Sequence, residues 1–242
     1  MDIGLSLQAF TSHKWSPLMT FSRRAFVLTT PFALAACATS ETDLAAREKH
    51  RIQLRYAAMY DAIDTEPFPI PAVDVRHVDP RFLRQEVSDP TGEAAGTIVV
   101  DLGARHAYLV LAGGRALRYG IGVGKQEAFN FEGEATIARK AEWPRWTPTP
   151  AMIAREPERY AQYADGLSGG PGNPLGPRAL YLYRDGRDTL YRLHGTTEPR
   201  SIGTMVSSGC VRLFNQDIID LYARVPVGTR VVVQPSLAGA VG

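Results

Sequence analysis

The chain has 242 residues, 45% of them apolar, and a formal net charge of +2. That is enough chain for one sizeable core, and the charge is too mild to argue for nucleic acid or an anionic membrane surface as a partner. No run of eighteen apolar residues exists, so no spanning helix is expected in the mature chain.

The N-terminus reads as an export signal. Ser22-Arg23-Arg24-Ala25-Phe26-Val27 has the form of a twin-arginine motif, and an apolar run follows to Ala36. Met19, just ahead of it, fits a translation start. Leu34-Ala35-Ala36-Cys37 resembles a bacterial lipobox, in which Cys37 becomes the lipidated first residue; Ala36-Cys37-Ala38 also fits ordinary A-x-A cleavage. The lipobox is favoured because a cysteine with leucine three before it is uncommon by chance. Residues 1–37 are therefore assigned to a signal peptide with lipobox. The expected location is the periplasm, with the membrane met through a lipid anchor only.

Residues 42–66 are expected to form a helix, capped by Thr42 or Asp43 and stopped by Pro67, with Ile52, Tyr56, Met59 and Ile63 on one face. Residues 67–96, rich in Pro, Asp and Arg, read as a connecting arm, so 38–95 forms a helical and extended N-terminal arm. From Thr97 the pattern turns to β. Ile98–Leu102, His106–Leu111 and Arg115–Val123 are strand-like runs separated by glycine turns, with His106 expected on a strand surface. Gly120-Ile121-Gly122-Val123-Gly124 is not followed by a helical pattern, so it is a glycine-rich strand end and not a dinucleotide loop.

Residues 141–152 carry Trp143 and Trp146 among three prolines, which makes the stretch stiff and extended. Trp143 is expected to cover the core; a tryptophan here can also wall a substrate site. Gly166–Arg178 has the composition of a loop. Ala179–Tyr183 and Thr189–Leu193 then form a hairpin around Asp185-Gly186, with His194 at the end of its second strand. Beyond Cys210, a helix capped by Asn215 carries Asp217 in its first turn and Arg224 in its last. It buries Ile218, Leu221 and Tyr222, and Thr229–Gln234 is the last strand.

With the signal region set aside, Cys210 is the one remaining cysteine, with no second cysteine for a disulfide in a compartment that forms them. It lies sixteen residues after His194, in Ser207-Ser208-Gly209-Cys210-Val211-Arg212. A thiolate is the attacking form of cysteine, and the positive charge of Arg212 favours it. A neighbouring imidazole can take the thiol proton and return it to a leaving group. Ser208, Gly209 and Cys210 offer consecutive backbone N–H groups for an oxyanion. Taken singly, a cysteine is more often an inert small hydrophobe and a histidine a satisfied polar side chain; the joint pattern is far more specific. Histidines 50, 77, 106 and 194 with one thiol give no ligand set at zinc spacing, so neither a metal nor a cofactor is expected.

The pattern His194-Gly195-Thr196 with Ser-x-Gly-Cys-Val-Arg resembles the signature of the L,D-transpeptidases, the YkuD-type catalytic domain, in its ErfK/YbiS-like subgroup. Trp-Pro-x-Trp-x-Pro from Trp143 and Asn173-Pro174-Leu175-Gly176 with Arg178-Ala179 are similar to stretches of the same family. Many members have a second histidine where this chain has Ser208, so no role of that histidine carries over. The resemblance covers residues 95–235 and assigns 96–236 to the catalytic domain. It implies a mainly β fold, a sandwich of mixed sheets with a packed helix. It implies that Cys210 attacks the bond between an L-centre and the terminal D-alanine of a peptidoglycan tetrapeptide stem, with His194 as base. An amine of a second stem, or of a protein such as a wall-anchored lipoprotein, then resolves the thioester. It implies further that a backbone carbonyl orients His194, with Gly195 the natural candidate, and it places Ser207, Arg212, Trp146 and Asn173 at the substrate. Arg212 either holds thiolate and substrate carboxylate or braces its loop. Two rivals stay open: a hydrolase of the same fold acting on cross-links or anchored lipoprotein, and a lipid-anchored wall-binding protein without chemistry. The intact motif weighs against the second.

Overall fold

The structure is a computed structural model that describes residues 30–124, 131–207 and 209–235, the side chains of 30–42, 206 and 207 excepted. The chain divides into two compact units, Met1–His50 and Arg51–Gly242. Helix α1 runs Thr30–Met59. Among the described residues no helix is long and apolar enough to cross a membrane.

The expected helix over 42–66 stops early. Ile63 leaves it to form an antiparallel bridge with Ile70, and that turn brings Tyr60 into the interior. The cause is tertiary: the Tyr60 hydroxyl donates to the buried carboxyl of Asp217, 2.9 Å away, and receives the Arg84 N–H at 2.6 Å. The arm that follows is also more ordered than its composition suggests. Asp74 and Asp79 each cap a short 3₁₀ turn with a side-chain oxygen, and Gln85–Ser88 forms an edge strand, β1.

Among the described residues ten further strands follow: β2 (Ile98–Asp101), β3 (His106–Leu111), β4 (Arg115–Gly120), β5 (Val123–Gly124), β6 (Gly133–Glu142), β7 (Arg178–Arg184), β8 (Arg187–His194), β9 (Met205–Ser207), β10 (Val211–Arg212) and β11 (Arg230–Gln234). Nine of the eleven make one mixed sheet in the order β1-β4-β3-β2-β11-β6-β7-β8-β10; β5 and β9 pair separately. The mainly β fold is thus built on one continuous mixed ladder. Inward residues from eight of those nine strands, among them Val100, Leu109, Tyr119, Ile137, Leu182, Leu193, Val211 and Val233, share one core. β6 has no counterpart among the expected strands, although Ala135 and Ile137 alternate with exposed Glu134 and Thr136 as a half-buried strand should.

His106 is not on the surface: it is buried, with Nε2 3.0 Å from the Arg81 carbonyl. The arm folds over it, and Phe82 and Tyr108 flank its ring. The proline stretch turns helical where it was expected to stay extended. Thr149 caps α2 (Pro150–Arg155) by accepting from the Met152 N–H, with Pro150 at the first helical position, where its missing N–H costs nothing; α3 (Pro157–Tyr160) follows. The last helix, α4 (Asn215–Arg224), buries Ile218 and Leu221 against β7 and β8. Its cap position is Phe214, not Asn215, whose side chain is engaged elsewhere. Lys140 Nζ donates to the Tyr222 and Val225 carbonyls, 2.7 Å each, and ties the helix end to β6.

Candidate active site

The β7–β8 hairpin turns through Asp185-Gly186, both with positive φ (51° and 74°), which suits a tight two-residue turn. β10 lies parallel to β8, with Val211 opposite Leu193 and Arg212 opposite His194. That pairing places Cys210, just before β10, beside the strand that carries the histidine. Both residues line one cleft of about 640 Å³, together with Gly209, Arg212, Tyr191 and Trp146.

His194 is 5% exposed, and its Nδ1 lies 2.6 Å from the carbonyl of Gly195. A carbonyl only accepts, so Nδ1 carries the ring proton and Nε2 is left as the basic nitrogen. Burial, then the charge of Arg212, pushes the His194 pKa down to about 3, while the Gly195 and Pro174 carbonyls pull the other way. The imidazole is therefore neutral at physiological pH.

The backbone around it needs glycine. Gly176 has φ 66°, and a Cβ there would lie 2.7 Å from Asn215 Oδ1 and 3.0 Å from the Gly195 Cα; a Cβ on Gly195 would come within 2.8 Å of Pro177 Cδ. Two bare Cα atoms let the 166–178 loop rest directly against the histidine's own turn. Asn215 Oδ1 closes the arrangement by accepting the Thr196 N–H at 2.8 Å.

Cys210 is partly open to the cleft, and its Sγ is 3.7 Å from the Leu190 carbonyl. Burial by its surroundings pushes the thiol pKa up; the charge of Arg192, the N–H of Arg192 and the charge of Arg212 pull it back. The expected rise in thiolate from nearby charge is thus outweighed by desolvation, and the resting pair is thiol and neutral imidazole.

Arg212 lines the cleft and pairs with Glu198 at 2.6 Å. Trp146 forms part of the wall, its ring 5.8 Å from that of Tyr163 and 6.1 Å from that of Tyr160. Trp143 lies apart from the cleft lining, its Nε1–H donating to Glu66 and its ring edge-on to Phe68. Gly209 lines the cleft with φ 134°. Ser207 pairs with Gly124 through β9, its side chain outside the described residues, and Ser208 lies outside them altogether. Cys37 falls in α1 by its backbone alone.

Asn173 requires a correction. It does not face the cleft: it is 1% exposed, its amide donates to the carbonyls of Pro144, Leu167 and Ser168, and its Oδ1 accepts the Leu175 N–H. All its polar capacity is spent folding the loop that presents Pro174 to His194. Conversely, sequence reasoning missed Tyr191, Arg192 and Glu198. Arg192 is held by Asp188 through two bonds of 2.7 and 2.8 Å and lies over the Tyr181 ring. The only signal for it was its place two residues before the histidine.

The family profile of the L,D-transpeptidase catalytic domain, YkuD, matches residues 95–233. The probable L,D-transpeptidase ErfK/SrfK of Escherichia coli K12 is 45% identical over 96 residues, 40% of this chain and 29% of that one. The probable L,D-transpeptidase YbiS of the same strain is 43% identical over 116 residues, 48% of this chain and 36% of that one. The chain spans about half or less of the length of the curated relatives it matches. A crystal structure from Brucella melitensis, named a probable carnitine operon oxidoreductase caia, is 50% identical, covers 66% of this chain and 99% of that one, and has a TM-score of 0.45. The profile spans more than half of the chain.

Proposed function

Because the chain belongs to the L,D-transpeptidase catalytic-domain family, YkuD, we propose that it is a cysteine acyltransferase of the cell wall acting on peptidoglycan stem peptides. The observation that carries this reading is a single cleft lined by Cys210 and by a His194 whose Nδ1 is tied to a main-chain carbonyl. The neutral Nε2 takes the thiol proton as Sγ bonds to the carbonyl carbon of the third stem residue. Neither group is charged beforehand, so proton transfer and attack are coupled. The imidazolium that results is strongly acidic in its dry site and gives its proton to the departing D-alanine nitrogen as the C–N bond breaks. An acceptor amine then attacks the thioester, loses its proton through His194, and the thiol is restored. The N–H groups of Ser208, Gly209 and Cys210 are the proposed oxyanion donors, and Arg212 the proposed contact for a stem carboxylate.

Two features support transfer over hydrolysis: the Trp146 wall and the 166–178 loop flank the cleft and limit water, and an anchored enzyme meets a dense array of acceptor stems. Export to the periplasm and anchoring through Cys37 rest on Ser22–Val27 and Leu34–Cys37; Cys37→Ser should move the protein from the membrane fraction to the soluble one. Mass spectrometry of purified enzyme with disaccharide tetrapeptides should show 3→3 cross-linked dimers and free D-alanine. Tripeptides without dimers would make it a carboxypeptidase, and loss of pre-formed dimers a hydrolase. A Cys210 that resists carbapenem acylation, with no substrate changed, would leave only a binding protein.

A further inference from the structure

Tyr191 stands three residues before His194 on β8 and is 3% exposed. Its ring belongs to the central core and packs on Phe131, with centroids 5.7 Å apart. Its hydroxyl is buried and has no hydrogen-bond partner among the described residues. A buried hydroxyl without a partner destabilises a folded protein, so for stability alone phenylalanine would serve better at this position. Among the described residues the other buried side-chain polar atoms left without a partner belong to Arg84, Arg105, Arg118, Gln216 and Asp217, none of which lines the cleft; Tyr191 does. Of these orphaned atoms, the Tyr191 hydroxyl alone belongs to a residue that lines the cleft.

We propose that the Tyr191 hydroxyl is a substrate-binding group, donating a hydrogen bond to an acceptor oxygen, carbonyl or carboxylate, of the stem peptide held against Cys210. The phenol is suited to donate and not to accept a proton. Burial and the neighbouring Cys210 and Glu132 hold its pKa above the ordinary tyrosine value, so the O–H stays intact across the whole working range. This inference rests on the reading of the cleft as a stem-peptide site, and deepens it by naming a recognition group outside the His–Cys motif.

The test is Tyr191→Phe, which keeps the ring and removes only the hydroxyl. Binding of a disaccharide tetrapeptide is measured by calorimetry in the Cys210→Ala background, where no turnover occurs, with thermal unfolding on the same samples. The expected result is an affinity about tenfold weaker, the scale of one lost hydrogen bond of about 1.4 kcal/mol, with Tm unchanged or raised. A merely structural tyrosine would not show that split. An affinity within twofold of the parent overturns the proposal, as does a clear fall in Tm, because the hydroxyl would then have a partner within the fold. Wild-type enzyme that binds the tetrapeptide but never releases D-alanine would instead sink the acyltransferase reading and leave the binding test intact.

Discussion

His106 and His194 are both buried residues at an end of a strand, and each presents one ring nitrogen to a main-chain carbonyl, Arg81 for the first and Gly195 for the second. Burial is the largest cause lowering the pKa of both. They differ in what lies on the other side of the ring. Around His106 that space is filled by Phe82 and Tyr108; around His194 it opens into the cleft that also holds Cys210. A buried neutral histidine with a carbonyl partner is therefore no mark of chemistry by itself. What separates a proposed base from a packing residue is a cleft beside the ring with a thiol lining the same space.

The sharpest test of that contrast is the pair of alanine substitutions. His194→Ala should lower turnover by at least about a thousandfold, as should Cys210→Ala, since in the proposed mechanism the two act as one unit. His106→Ala should leave kcat/KM within about twofold while lowering stability by about 1–3 kcal/mol through the vacated space and the unpaired Arg81 carbonyl. Muropeptide turnover and thermal unfolding on the same preparations decide it, and a His106→Ala enzyme as dead as His194→Ala would end the comparison.

Next in size is Asn173→Ala. It strips a donor from three carbonyls and an acceptor from the Leu175 N–H, and should cost about 2–4 kcal/mol. Denaturant unfolding should show that loss, while the KM of the folded fraction changes little. A large KM increase with unchanged stability would restore Asn173 to the substrate.

Asp217 gives a smaller, pH-dependent effect. Burial pushes its carboxyl up to about 7 against the opposing pull of Arg84 and Tyr60. The folded state therefore holds a proton that the unfolded chain releases near pH 4, and stability from this group, full below about pH 4, is lost as pH rises toward 7. The histidines act in the opposite sense: unfolded imidazoles bind protons below about pH 6.5, and His194 in the fold does so only near 3, so acidification weakens the fold through them. The two are separated by difference. Wild type should lose Tm relative to Asp217→Asn between pH 4 and 7, and parallel curves would show that Asp217 is ionised throughout.

The smallest expected effect is a flat one. With His194 neutral down to about pH 3, kcat/KM between pH 5 and 7 should lack an acid limb from imidazole protonation and stay within about twofold. A limb near pH 6.5 would mean that His194 titrates as in solvent, and that His106 is the drier of the two.

The amino-acid sequence by itself determined the local elements and the order of the chemistry. Apolar runs bounded by glycine marked β2, β3 and β4; Asp185-Gly186 marked the hairpin; the spacing of Ile218, Leu221 and Tyr222 marked α4; and the motif put a histidine and a cysteine sixteen residues apart at a strand end and a loop. Tertiary structure alone decided the rest. It ended α1 at Met59, because Tyr60 finds Asp217 across 157 positions of sequence. It buried His106, because the arm folds over it, and it turned Asn173 inward, because three carbonyls of its loop and the Pro144 stretch need its amide. It left the hydroxyl of Tyr191, a residue that lines the cleft, without a partner among the described residues. The division has one physical reason: periodicity and turn chemistry are set by neighbours along the chain, whereas the partner of a buried polar atom is chosen by whichever distant segment packs against it.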